Sequence, residues 1–332
     1  MLIYYDHYGR RDGFCFFGNN WPQGIRVDNA DLQGTGYLWN IFTNLYGDLG
    51  ANLNAPRSCF VLRDCFGPLH ATVYGIAGVG QDGRRSVTYV DFAVRIPQNR
   101  EEAEAEFDPR DLLRELQVPH VPGTCVQAPV PPVWQPLPPD EAAMQLGREL
   151  AWRPLSVVWA GDTAARTVPE LARGLYSVLP AARRRTFSFV SYCANWSTLC
   201  RIGGVDLIGT DQTRETLDTV VMMQNSGADV AYLQQGSREL RLPPVRTGAA
   251  GSYLRRIYPQ LVRDKALDQP AQSARWLRES PFAPDQGEIP LMEAMAVGFI
   301  LRAAAGGDQQ YYPLTEEKQQ LTAVIAAATG RK

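Results

Sequence analysis

The sequence predicts an α+β fold with a β-rich amino-terminal domain, an α/β middle segment and a helical carboxy-terminal region. Three patterns carry that expectation. Short aromatic and aliphatic runs separated by turn-forming residues fill the first hundred positions. Helix-like and strand-like stretches alternate from about residue 140, and helical spacing dominates from about residue 213.

Each element has a local reason. Leu2–Tyr5 and Phe14–Phe17 flank Gly9–Gly13, whose glycines and charged residues have turn composition, so the three form a hairpin. Over residues 31–49, Leu38, Ile41, Phe42 and Leu45 recur at helical intervals, and Gly34 and Gly36 are expected to delay the helix start to about Tyr37. Cys59–Arg63, Ala71–Ile76 and Ser86–Ile96 read as strands, the last two joined by a glycine-rich hairpin loop over Ala77–Gly83. In the third of these strands Thr88, Val90, Phe92 and Val94 form the more apolar face and are expected to meet the core.

Residues 97–115 are acidic with helical character. Residues 118–139 hold eight prolines and read as an extended linker or strap, partly polyproline II. An alternative makes this segment a ligand for a proline-binding module. The strap divides the chain into a domain over 1–117, the linker over 118–139, an α/β segment over 140–212 and a mainly helical region over 213–332. Within the α/β segment, Asp140–Leu150 and Val168–Leu179 read as helices, and Leu155–Ala160, Arg185–Tyr192 and Gly204–Gly209 as strands. Leu217–Met223, Ser252–Leu267, Leu291–Ala305 and Thr315–Thr329 read as helices of the last region.

Composition excludes several classes. Of 332 residues, 45% are hydrophobic and 20% charged, which is globular rather than disordered. The formal net charge of -2 excludes a globally basic nucleic-acid binder, and the tryptophans are not interleaved with basic residues, so direct nucleic-acid contact is not expected. Lys265, Lys318 and Lys332 are the only lysines, so arginine dominates the basic residues; Arg183, Arg184 and Arg185 form the densest cluster. Six scattered cysteines are too few for a disulfide scaffold and point to a reducing compartment. The opening MLIYYDHYGRRDG has no signal-peptide pattern, and Leu291–Ala305 is too short to span a bilayer, so a cytoplasmic protein without membrane contact is expected.

The motifs name no reaction, and no cofactor is expected. Gly78, Gly80 and Gly83 match GxGxxG, but a strand follows instead of the helix that would receive a pyrophosphate. Cys65 with His70, or Cys193 at a strand end, is a candidate thiol centre or else core packing. Asp6, Asp12, Asp82 and Asp91 are candidate acidic residues. Asp91 interrupts an apolar strand and is expected at the surface or paired with Arg84 or Arg85.

Two stretches resemble a known family. Tyr8-Gly9-Arg10 through Phe17, followed by Tyr74 to Phe92 with Asp82-Gly83-Arg84, resembles the amino-terminal domain of the bacterial GTPase-associated proteins. Leu179-Pro180 through Tyr192 is similar to that family's middle segment; Asp91 stands where the family tends to have histidine. The resemblance implies a non-enzymatic adaptor or sensor of a bacterial conflict or immunity system, with an antiviral defence role, acting with a GTPase or other NTPase as its protein partner. The positions it and the acidic pattern single out are Asp6, His7, Tyr8, Arg10, Asp82, Arg84, Asp91 and Arg184. A hydrolase or nuclease with an acidic or Cys/His site, and a structural subunit of a larger assembly, are the alternatives.

Overall fold

The opening hairpin forms from β1 (Leu2–Gly9) and β2 (Gly13–Phe14), which pair antiparallel with Tyr8 opposite Phe14. A computed structural model describes residues 1–9, 13–14, 31–46, 54–66, 69–82, 85–99, 102–103, 105, 108–128, 138–151, 155–179, 181–211, 214–237, 239–243, 258–259 and 262–263. The rest of the expected Phe14–Phe17 strand, residues 15–17, lies outside this set, as do most of the expected carboxy-terminal helices.

The fold is α+β around a mixed sheet. Among the described residues it has eleven strands, ordered β11-β10-β7-β9-β8-β3-β4-β5-β1, with β2 and β6 both on the outer edge of β1. One half is antiparallel: β3 (Ser58–Cys65), β4 (Ala71–Asp82), β5 (Arg85–Ile96), β1 and β6 (Thr124–Gln127). The other half is parallel: β7 (Ser156–Ala160), β8 (Phe189–Val190), β9 (Leu207–Thr210) and β10 (Val230–Gln234). The short β11 (Leu240–Arg241) returns antiparallel on β10. In the first half, β3, β4 and β5 are consecutive antiparallel neighbours and β1 joins them from a distant segment, whereas parallel neighbours need helical crossovers. Those are α4 (Ala164–Val178), α6 (Trp196–Ile202) and α7 (Arg214–Asn225).

Several boundaries differ from the sequence expectation, each for a tertiary reason. The helix α1 (Asp31–Asn44) starts at residue 31 instead of Tyr37. Each of Gly34 and Gly36 costs only about 1 kcal/mol of helix propensity, and packing of Leu38, Ile41 and Phe42 into the core holds the helix they belong to. The loop expected over Ala77–Gly83 is strand instead. β4 runs on to Asp82, which pairs with Arg85, leaving only residues 83 and 84 between the strands. Gly78 belongs there because a Cβ on it would lie 2.4 Å from the Tyr89 hydroxyl, whose ring crosses the bare strand. The strand expected over Arg185–Tyr192 shrinks to Phe189–Val190, because α5 (Ala181–Thr186) occupies its first residues. After α7 the chain is not purely helical: the apolar run Val230–Leu233 enters the sheet as β10.

The proline-rich segment also contains structure. β6 pairs with β1, Val126 opposite Ile3 and Cys125 opposite Tyr4. Its prolines flank the strand instead of interrupting it, so no ladder donor is lost. Strands from both sides of this segment belong to one sheet and one compact unit, Met1–Leu137 with Ser156–Arg173 and Arg185–Arg241. The expected division at 118–139 therefore does not separate the β-rich strands from the parallel ones.

Within that unit Val90, Phe92 and Val94 face the core as their alternation predicts, with Tyr4, Tyr8, Phe42 and Phe60. The second unit comprises Pro138–Leu155, Gly174–Arg184 and Leu242–Lys332. Its helix α3 (Glu141–Leu150) is capped by the Asp140 carboxylate, which accepts the Ala143 N–H at 2.7 Å. Gly147 lies against Val178, where a Cβ would come within 2.4 Å, and the Tyr258 hydroxyl donates to the Val178 carbonyl.

Candidate functional site

The antiparallel register places His7 directly opposite Asp91, so their side chains share one face of the sheet. The His7 imidazole Nδ1 lies 2.8 Å from the Asp91 carboxylate, with the side chains 37% and 58% exposed. Asp91 is at the surface as expected, and the partner it meets there is an imidazole; the side chains of the expected partners Arg84 and Arg85 lie outside the described ones. The strand period of two keeps Asp6 and Tyr8 away from this pair. Asp6 is buried on the other face, and its carboxylate accepts the backbone N–H of His7 at 2.7 Å. Tyr8 is buried edge-on against Trp39, ring centroids 5.5 Å apart. Of the two, Tyr8 belongs to the hydrophobic core.

The remaining expected positions do not join the pair. Arg10 and Arg84 lie outside the described residues, and for Asp82 only its backbone at the end of β4 is described. Arg184 donates to the Leu179 carbonyl at 2.6 Å, which satisfies an acceptor just past α4. A solvent-exposed pair contributes little, so His7→Ala is expected to lower stability by no more than about 1 kcal/mol in a urea titration.

A polar cluster that no sequence motif marks lies on the same sheet face, towards β6. It is organised by Glu115, the last residue of α2 (Pro109–Glu115). One Glu115 carboxylate oxygen accepts the Tyr5 hydroxyl at 2.6 Å and the Tyr74 hydroxyl at 2.7 Å. The other is ion-paired with the Arg95 guanidinium, which also lies 5.5 Å from the Tyr74 ring centroid. Burial acts to raise the Glu115 pKa, but the Tyr5 hydrogen bond and the Arg95 charge outweigh it and hold the carboxyl below its ordinary value. Burial pushes both tyrosine hydroxyls up, so they remain donors. At the other end of α2, Arg173 grips both oxygens of the Asp108 cap at 3.1 Å. Each of these residues is ordinary alone; their convergence needs the register of β1, β4 and β5.

This cluster fixes the chain that follows α2. The His120 ring stacks on Tyr5 at 3.7 Å and 7°, and its Nε2 donates to the Glu115 carbonyl at 2.9 Å. The chain then turns, with the Gly123 N–H donating to the Tyr5 carbonyl at 2.8 Å, and enters β6. This stretch is apolar and open to solvent: Val118 is 60% exposed, Val121 69% and Val126 44%. Backbone groups of alternate residues point to opposite edges of a strand. Ala128 donates to Met1 on the β1 side, so the N–H and C=O groups of Cys125 and Gln127 point away from β1. Among the described residues β6 pairs only with β1, and that outer edge is open.

The thiols do not form the expected Cys/His centre among the described residues. His70 Nδ1 meets the Asp64 carboxylate at 2.6 Å, while the Cys65 thiol points to the Arg63 carbonyl at 3.8 Å. Left-handed backbone at Asp64, Phe66 and His70, with φ of 56°, 62° and 46°, turns the chain between the two residues. Burial raises Cys59 to about 11 and Cys65 and Cys200 to about 12, and it also raises Cys193. Cys125 alone of the described cysteines is exposed. In a Cys15→Ser background, native protein at pH 8 is therefore expected to take up one equivalent of a thiol reagent rapidly, at Cys125.

At the carboxyl ends of the parallel strands the Gln235 amide lies over Gly161 and donates to Thr163 Oγ1 at 2.5 Å. The connections leaving β7 and β9 run in opposite directions there, the usual place for a ligand crevice in such sheets. Among the described residues no group of three or more His, Cys, Asp or Glu side chains is arranged to hold a metal, and no helix is long and apolar enough to cross a membrane. No family model matches the chain, and no curated protein matches its sequence.

Proposed function

We propose that this protein is a non-enzymatic adaptor that docks a protein partner through its surface. The observation that carries the reading is the outer edge of β6, unpaired among the described residues and accompanied by the exposed Val118, Val121 and Val126. Exposed strand edges are normally blunted by charge, bulges or covering segments, because they pair with other chains. An uncharged edge beside solvent-facing valines fits an interaction surface. The rigid Glu115 cluster beneath it supports the same reading, since it pre-orders the segment and lowers the entropic cost of docking.

The resemblance to bacterial GTPase-associated proteins supplies the class of partner, a GTPase or other NTPase of a conflict or immunity system. The test is native mass spectrometry of the full chain with the products of its neighbouring genes. A stoichiometric complex containing the NTPase is the expected result. Absence of any complex, with catalytic turnover by this chain alone, overturns the proposal in favour of an enzyme.

A further inference from the structure

We infer that the open edge of β6 is a self-pairing edge, covered by β6 of a second copy of this chain. The inference rests on the surface-docking reading and names one occupant of that surface. Cys125 and Gln127 are the two residues whose backbone groups face outward, and they lie two positions apart. Across a two-fold axis through Val126, the N–H and C=O of Cys125 meet the C=O and N–H of the second copy's Gln127, and the reverse pair follows by symmetry. The edge is therefore its own complement.

Side chains agree with this arrangement. The strand Thr124–Gln127 carries no charge, so a second copy brings no like charges face to face. The two Val126 residues become directly opposed in a non-hydrogen-bonded pair, with Cα atoms about 4.5 Å apart. Each covers a side chain now 44% exposed. The result is a continuous sheet through two copies.

Sedimentation velocity of the full chain at micromolar concentration tests it. A dimer is expected. Gln127→Pro removes one outward donor per copy while leaving the inward pairing with β1 untouched, and is expected to weaken the dimer at least about tenfold with an unchanged circular dichroism spectrum. Cys125→Ser/Val126→Cys is expected to form a disulfide-linked dimer on mild oxidation, because only residue 126 faces its own copy. A monomer at about 100 µM, well above the dissociation constants of specific dimers, or a dimer that persists in Gln127→Pro and does not cross-link through residue 126, overturns the inference. If the chain is monomeric but Gln127→Pro loses the NTPase complex, the second copy is ruled out as occupant and the adaptor reading survives; loss of neither sinks both.

Discussion

Glu115→Ala is expected to lower the unfolding free energy by about 3 kcal/mol, measured in a urea titration. The substitution leaves the Arg95 guanidinium, 9% exposed, without its ion-pair partner, and breaking such a pair typically costs about 3–5 kcal/mol. The low end applies because the Glu115 side chain keeps 22% of its exposure. Tyr5 and Tyr74 lose the acceptor of their hydroxyls as well. Glu115→Gln keeps the shape and an acceptor oxygen but not the charge, so it is expected to cost less.

The same carboxylate sets an acid dependence. Its pKa is lower in the folded protein than in the unfolded chain. Its contribution is therefore present above the unfolded value, about 4.3, and is lost as pH falls through the lowered folded value. Wild-type stability is expected to drop more steeply than that of Glu115→Gln below about pH 4. Parallel curves for the two proteins would show that Glu115 does not anchor α2.

Gly209→Ala is the second large effect. A Cβ on Gly209 would lie 2.0 Å from the Ser191 carbonyl oxygen and 3.0 Å from a Val168 methyl. The obstacle at Ser191 is backbone, which cannot rotate aside, so the end of β8 must move away from β9. A loss of about 3 kcal/mol or more is expected, at the upper end of overpacking costs. Gly78→Ala provides the contrast. The three atoms nearest its Cβ would all belong to the half-buried Tyr89 side chain, the hydroxyl at 2.4 Å, and a side chain can shift, so a loss of about 1–3 kcal/mol is expected. Equal losses at both sites would contradict the distinction between backbone and side-chain obstruction.

Alternation makes much of the sheet legible. The apolar face of β5 can be read from Val90, Phe92 and Val94, and Asp91 stands at the surface on the opposite face, as its charge requires. Pairing is not legible, because which strand lies beside which depends on register between distant segments. Hence nothing local matches His7 to Asp91 across 84 positions, and the Glu115 cluster draws on Tyr5, Tyr74, Arg95 and His120 without any local motif. Neither the glycine run of β4 nor the prolines around β6 behave as their composition suggests. In β4 the Tyr89 ring covers the glycine, and in β6 the four paired residues fall between prolines. The consequence for function is direct: the consecutive residues Asp6, His7 and Tyr8 point to alternate faces, so no single cleft gathers them, and the exposed edge lies in the segment that composition marks as a mere connector.

Hydrogen–deuterium exchange of the full chain, alone and in complex with the neighbouring-gene NTPase or at concentrations where it self-associates, tests most directly whether this protein acts through the β6 edge. Slowed exchange at the Cys125 and Gln127 amides on association, with residues 118–121 also protected, is the predicted result. Association that leaves those amides exchanging as fast as in the isolated chain would contradict it.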